Sequence, residues 1–520
     1  MGLPSIVIGS GPAGVSCAAA LLAQGREVLM LDGGNDLEAD RAEKLTQLKA
    51  SSPSEWSDDR IAWMREGMEP TAGGIPLKLS VGSDYPFRTL PGAPQIEGEG
   101  VNTRYSLGKG GFSAVWGTSI MPYAQRDISL WPITAHDLAP HYRAVLDFMP
   151  AAQGHDALEE DFPTFKVTEP MPLSAQASAL HARLQKNEAE LRSRHLLFGR
   201  SRLAIDSAHC VRCGLCMYGC AYGLLYNTAQ TVDALRSNPN FRYAPGYVAQ
   251  RVEEQGDQAF AHALNVRTNT VEVFLAERVF VAAGTLASTA LMLRSLDAYD
   301  AEVTFADSQY FLLPMARLAG VENFEPNKLH TLAQLFLELT DPAVTPRTIH
   351  LQLYTYNDLF KRLIDSKLGA LSGLFPSKTF FSRLYLLQGY LHSDDSRRLH
   401  GTLQRTASGD VFHLSAPERK ETAETLQRVV RKLSSLRSLT KLHPLTPMLK
   451  AADPGRGFHT GGSFPMSNAP TGFQSDTLGR THGLKRIHLV DSSTMPSIAA
   501  TTVTFTAMAN AHRIGSLASQ

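Results

Sequence analysis

The sequence is poor in cysteine, in any excess of one charge and in long apolar runs, and each shortage excludes something. Five cysteines in 520 residues cannot build a disulfide scaffold. Fifty basic side chains offset fifty acidic ones, with no basic stripe or acidic tail, so a nucleic-acid partner has nothing to hold. No apolar run reaches about eighteen residues, so no membrane-spanning helix is expected. No tandem repeat or low-complexity tract is present. The chain opens at once into an apolar strand, Ile6-Val7-Ile8, without the basic, apolar and cleavage regions of a signal peptide. A cytoplasmic globular protein is the expectation, and its length calls for two or more substructures.

What is present begins with Gly9-x-Gly11-x-x-Gly14, set between that strand and a helix expected from about Ala13 to Gln24. This is the context in which the spacing has meaning. Gly9 permits a tight turn, Gly11 lets the backbone approach a pyrophosphate, and Gly14 lets helix and strand meet closely. The helix N-terminus then offers free N–H groups and a positive dipole end to the phosphates. Asp32 stands eighteen residues after Gly14, at the end of the second strand, placed to accept hydrogen bonds from ribose hydroxyls. The motif marks a dinucleotide without choosing between FAD and NAD.

Further on, the run from Arg278 to Gly284 reads as another buried strand ending in a glycine turn, followed by a helical stretch from Leu286. Residues 247–280 alternate like antiparallel strands. The texture changes over 300–450, and dense glycine and small-residue motifs return at Gly457. The reading is an α/β protein. A discontinuous Rossmann-like domain takes 1–145, 205–300 and 452–520, and an α+β substrate-facing cap takes 146–204 and 301–451.

The segment Gly457-Phe458-His459-Thr460-Gly461-Gly462-Ser463, followed by Leu489-Val490-Asp491-Ser492-Ser493-Thr494-Met495-Pro496, resembles the closing signature of the glucose–methanol–choline oxidoreductases. The run from Leu107 to Gly117 and Ala282-Ala283-Gly284-Thr285-Leu286 are similar to two internal motifs of that family. The resemblance implies FAD in the Rossmann-like domain and oxidation of a CH–OH group by hydride transfer to flavin N5. A sugar or another polyhydroxylated alcohol is the implied substrate. It further implies that Gly110 and Gly111 pass close to the isoalloxazine ring, with Ser113 and Trp116 nearby. Val248 would meet the adenine end, and Gly284 and Asp491 would help hold the cofactor. A last helix from about Thr502 would turn its positive end to the flavin N1/O2 edge. Relatives with covalent flavin carry a histidine in the internal glycine motif; Phe112 and its neighbours supply none, so FAD is expected without a covalent link.

His459 is the implied catalytic base, since a neutral imidazole suits removal of a hydroxyl proton. The sequence departs from the family just before the last helix, where a second histidine or asparagine is usual and Ala500 stands instead. Either a cap residue fixes the substrate hydroxyl beside His459, or the chemistry differs from simple alcohol oxidation.

Cys210-x-x-Cys213-x-x-Cys216-x-x-x-Cys220 has the spacing of a ferredoxin-like loop, which suits a 4Fe–4S or 3Fe–4S cluster. Zinc suits it less, because tetrahedral sites usually separate their ligand pairs by a longer loop. Ala221 replaces the usual proline, and disulfides or free thiols are the alternatives. With a cluster, electrons would pass from flavin to a one-electron acceptor such as a cytochrome, a quinone or a ferredoxin-like protein. Without one, an oxidase using oxygen, an electron-transfer subunit or a redox-neutral flavoprotein is the alternative. Cys17, on the first helix, is read as a small buried residue.

Residues 359–391 carry an apolar stripe (Leu359, Phe360, Leu363, Ile364, Leu368) flanked by Lys361, Arg362 and Lys367. Two readings apply: a surface-lying amphipathic segment touching a membrane, or core-facing elements of the cap.

Overall fold

Strand Ser5–Ile8 is buried throughout, turns at Gly9 with φ +104°, and leads into the helix Pro12–Ala23. Proline at the start of that helix has no N–H to leave unpaired. A side chain on Gly14 would fall on the Gly9 carbonyl oxygen, so only glycine lets helix and strand meet there. The computed structural model describes residues 2–67, 77–322, 324, 329–357, 361–362, 380–407, 409–481 and 483–518.

Four sheets form among the described residues. The first is parallel, in the order Ile487–Leu489, Arg278–Val281, Ser5–Ile8, Val28–Asp32, Phe241–Pro245. Parallel strands of this kind must be covered on both faces. The helices Pro12–Ala23 and Val503–Leu517 cover one, through Val15, Leu21, Ala511 and Ile514. On the other lies the antiparallel sheet Tyr247–Gln255, Gln258–Asn265, Thr270–Ala276, where Ala259, Ala261 and Ala263 let it approach Ile6, Ile8 and Val281. The expected α/β class with a Rossmann-like sheet is the one observed.

The sheet that faces this unit across the cavity is antiparallel and runs His443–Pro444, Tyr310–Ala316, Leu384–Tyr390, Ile349–Tyr354, Leu335–Leu339, Leu196–Arg200. Its side chains alternate between two faces, as strands require. Phe311, Leu313, Leu387, Leu351 and Leu337 pack under the helices Ala175–Lys186 and Lys420–Ser435, against Leu180, Val429 and Leu433. The other face carries Tyr310, Leu312, Leu386, Gln388, Tyr390, His350, Gln352 and Tyr354. Gly389 is forced by this packing, because a Cβ there would enter the Phe311 ring.

This corrects the membrane-facing reading of the later residues in 359–391. Leu384–Tyr390 is a strand inside the cap sheet, not an amphipathic surface segment, and Tyr385, Leu387 and Tyr390 are buried. Residues 359–360 and 363–379 lie outside the described residues. No helix among the described residues is long and apolar enough to cross a membrane.

A fourth sheet joins Glu302–Asp307, Leu399–Thr406, Gly409–Ser415, Gln95–Glu99 and the short strand Thr460–Gly461. The pairing of Asp307 with Thr460 fixes the segment that carries His459.

Candidate active site

A cavity opens between the C-terminal ends of the parallel strands and the polar face of the cap sheet, where open α/β sheets place their ligands. Gly9, Gly11 and Asp32 line it from the first turn, and Gly284 and Asp491 from the second. Gly111, Trp116, Val248 and His459 complete the set of expected residues at its wall. Gly14, Gly110, Ser113 and Thr502 stand behind the wall.

Two glycine motifs, a hundred residues apart, are joined through a residue that pattern reading passes over. The Ser10 hydroxyl donates to Asp32 at 2.8 Å and accepts from the Gly110 N–H at 2.9 Å. Asp32 also accepts from the Ser10 N–H and the Tyr243 hydroxyl. Burial pushes this carboxyl up to about 6, against the pull of those donors. Gly110 has φ +86° and packs against Asn227 and Ala229, where a Cβ would collide. Ser113 donates to the Gly110 carbonyl at 2.5 Å and meets the Thr228 hydroxyl at 3.0 Å. Its place is therefore in the support of the turn, not at its surface.

Asp491 departs from expectation in a similar way. One oxygen accepts from the Gly284 N–H and the Ser288 hydroxyl, the other from the Ser493 N–H and hydroxyl. Protein donors reach both oxygens of this carboxylate, which holds two turns in place at the cavity wall.

The helix Val503–Leu517 begins at the cavity, with Val503 and Thr504 in the wall. The Thr501 and Thr502 hydroxyls at its start are buried without a hydrogen-bond partner. The Gly11 and Gly111 backbones pass each other at the floor, and a Cβ on Gly11 would meet nothing nearer than Gly111 Cα at 3.9 Å. A phosphate-binding turn, a glycine floor and a helix N-terminus with orphaned hydroxyls fit FAD. Phe112 stacks on Phe458 at 5.1 Å and offers no nucleophile for a covalent bond.

His459 lies in the wall with its ring stacked on Tyr390, centroids 4.6 Å apart and planes 19° from parallel. Its Nδ1 is buried without a hydrogen-bond partner. Burial, with His350 nearby, lowers its pKa to about 3, so the imidazole is neutral in ordinary buffers. The backbone around it is pinned: the Ser308 N–H donates to the His459 carbonyl at 3.0 Å, and Asp307 accepts from the Gly455 N–H and the Thr460 hydroxyl.

Asp307 has a consequence for stability. Burial pushes its carboxyl up to about 7 despite those two donors. In the unfolded chain the same group ionises near pH ~4. The folded state therefore binds more protons between these values, and stability falls as pH rises from about 4 to about 7, then levels. Asp307→Asn is expected to flatten that slope, which for wild type amounts to as much as about 4 kcal/mol. Chemical denaturation of both proteins at pH 5 and pH 8 measures it. Equal slopes in the two proteins would remove Asp307 from the account.

The cap residues of the site are invisible to motif reading. Glu338, His350, Tyr390 and Tyr310 are successive cross-strand partners in four adjacent strands, and so form one row on the cavity side of the sheet. His350 Nδ1 meets Glu338 at 2.6 Å with both side chains fully buried. Beside the row, the Gln388 amide donates to the Tyr390 hydroxyl at 2.6 Å, and the Tyr354 hydroxyl donates to Gln352 at 3.0 Å. The only sequence signal for them is the alternation Leu386, Gln388, Tyr390.

The cysteine segment gives the expected cluster no support. Cys210, Cys213, Cys216 and Cys220 are all free, and Cys216 is buried against Leu203 and Leu332. Among the described residues no three histidine, cysteine, aspartate or glutamate side chains are grouped to hold a metal ion. The expected cluster therefore finds no support among the described residues. Cys17 is fully buried on the first helix, in line with its sequence reading.

Residues 412–511, which include His459, Asp491 and the start of the last helix, match the family model described as GMC oxidoreductase. The chain carries a GMC oxidoreductase domain. With that domain comes the class of FAD-dependent enzymes acting on CH–OH groups. Among solved structures, pyridoxine 4-oxidase from Mesorbium loti has a similar fold, with a TM-score of 0.60 at 16% identity over 99% of this chain and 98% of that one. No curated protein matches the chain.

Proposed function

We propose that this GMC-domain protein binds FAD without a covalent link and oxidises an alcohol whose body is apolar, with His459 accepting the hydroxyl proton. The observation that carries the reading is one cavity whose wall joins the phosphate turn, the N-terminus of the last helix and His459. Bound there, FAD supplies a two-electron acceptor for the hydride of the CH–OH carbon. Gly9 and Gly11 would bring the backbone to its pyrophosphate, and the last helix, whose start lines the cavity, would stabilise negative charge on the reduced ring. His459 is neutral and stands ready for the proton.

The chemistry of the wall supports an apolar substrate over a sugar. Tyr310, Tyr354, Leu312, Leu332 and Leu386 face the cavity, with Gln388 as the amide among the cap-sheet residues there. An apolar body would bury against the leucines and tyrosine rings, leaving the tyrosine hydroxyls and Gln388 for the reacting oxygen. Oxygen as final electron acceptor is favoured over a one-electron carrier, because no group of the described residues supports a cluster and the similar solved structure is named as an oxidase.

Acid precipitation is expected to release all the yellow colour into the supernatant; colour kept in the pellet contradicts non-covalent binding. Mixed without oxygen, benzyl alcohol is expected to bleach the flavin and air to restore it. A flavin that no alcohol of a panel including 1-hexanol, glucose and glycerol reduces would end the alcohol reading. Stoichiometric iron and sulfide in anaerobically purified protein would reinstate the cluster.

A further inference from the structure

The departure at Ala500 leaves a gap in the site, and the structure shows what occupies its surroundings. Ala500 is fully buried and packs in one cluster with Tyr310, Tyr390 and Ala452. The position at which the family resemblance expects an amide or imidazole is thus backed by two tyrosine rings from the cap sheet. They stack on each other with centroids 5.3 Å apart, and Tyr390 in turn stacks on His459.

We propose that Tyr390 is a catalytic residue: its hydroxyl donates a hydrogen bond to the substrate oxygen beside His459, the contact that Ala500 cannot make. This rests on the alcohol-oxidation reading above. Three features of the site converge on it. Tyr390 lines the cavity and lies ring to ring with His459, which puts the two side chains side by side at one wall. The Gln388 amide donates to the Tyr390 oxygen at 2.6 Å, which uses its acceptor side and leaves the O–H proton for another partner. The ring is fixed on both sides, by Tyr310 and by His459, and its strand is locked by Gly389 under Phe311. Burial also raises the Tyr390 hydroxyl to about 12, so it keeps its proton.

The step balances with groups already named. With FAD bound as two-electron acceptor, the C–H bond would break with its electron pair leaving for it, His459 would take the O–H proton, and a C=O double bond would form. Tyr390 gives up nothing. Its hydrogen bond strengthens as the substrate oxygen gains negative charge, which makes the proton easier to remove for a base as weak as His459.

Tyr390→Phe keeps the ring and both stacks, so FAD content is expected to stay at the wild-type level by absorbance. In anaerobic rapid mixing with benzyl alcohol, the limiting rate of flavin reduction is expected to fall about a hundredfold. The alcohol concentration giving half that rate should change by less than about tenfold. The variant should also gain a rate that rises with pH, because the oxygen has lost its donor. Ala500→Asn added to Tyr390→Phe is expected to recover at least about tenfold of the rate. Tyr385→Phe, on the opposite face of the same strand, serves as the packing control and should leave the rate unchanged.

A Tyr390→Phe protein that reduces its flavin at the wild-type rate overturns the proposal. So does an equal loss in Tyr385→Phe, which would assign the effect to packing. A wild-type flavin that benzyl alcohol, 1-hexanol, glucose and glycerol all leave oxidised overturns the alcohol reading itself, and this proposal with it.

Discussion

Replacing His459 with alanine is expected to leave FAD bound and slow alcohol-driven flavin reduction at least about a hundredfold, the usual scale for a positioned base. The fold should tolerate the change, because the segment is held through its backbone. Ser308 holds the His459 carbonyl, and Asp307 holds Gly455 and Thr460 on either side. What alanine removes is a ring that stacks on Tyr390 at the cavity wall. With its pKa lowered to about 3, the imidazole is protonated only in strong acid. The rate of flavin reduction should therefore show no loss through this group between pH 8 and pH 5. Anaerobic rapid mixing of both proteins with the same alcohol measures the effect. A His459→Ala protein that reduces its flavin at the wild-type rate would remove His459 from the mechanism.

The features of this site that pattern reading reaches are those in which neighbours in sequence are neighbours in space. Gly9, Gly11, Gly14 and Asp32 lie within one strand–turn–helix–strand unit, so their spacing alone sets their geometry. His459 is legible because a short loop carries it between recognisable small residues. The cap residues are not legible this way. Glu338, His350, Tyr390 and Tyr310 meet only because four strands pair in a particular register, and shifting any strand by one residue would turn its member to the other face. The stretch before Tyr390 misleads for a related reason. Its leucines satisfy a helical period as well as an alternating one, and only the neighbouring strands decide between them.

Ser113 and Asp491 stand in motifs that touch the cofactor in the family, yet here each spends its hydrogen bonds inside the protein. A motif identifies which turn is built; it does not say which of its side chains face inward. The cysteine segment leaves a different question open. Its spacing allows a shared site, and the described residues around Cys210 and Cys216, both packed near Leu332, neither require nor support one.

Gly11→Val is expected to give a folded protein that binds almost no FAD, and the neighbouring Gly14→Val a protein that does not fold stably. The contrast follows from where each side chain would go. At Gly14 the new Cβ would meet the Gly9 carbonyl and lie 3.4 Å from the Ala282 Cβ, inside the contact between the first helix and its sheet. Overpacking against backbone costs roughly 1–3 kcal/mol or more, and relief would require moving the helix off the strand. At Gly11 the backbone is extended, with φ −66° and ψ 179°, which valine adopts without strain. Nothing stands within 4 Å of its Cβ but Gly111 Cα at 3.9 Å, so the valine enters the cavity instead of the core. There it would stand where the pyrophosphate must approach the turn. Absorbance near the flavin bands and thermal unfolding of the two purified variants separate the cases. Full FAD content in Gly11→Val would show that the cofactor does not lie on this turn, and a Gly14→Val protein as stable as wild type would show that helix and strand are not in contact there.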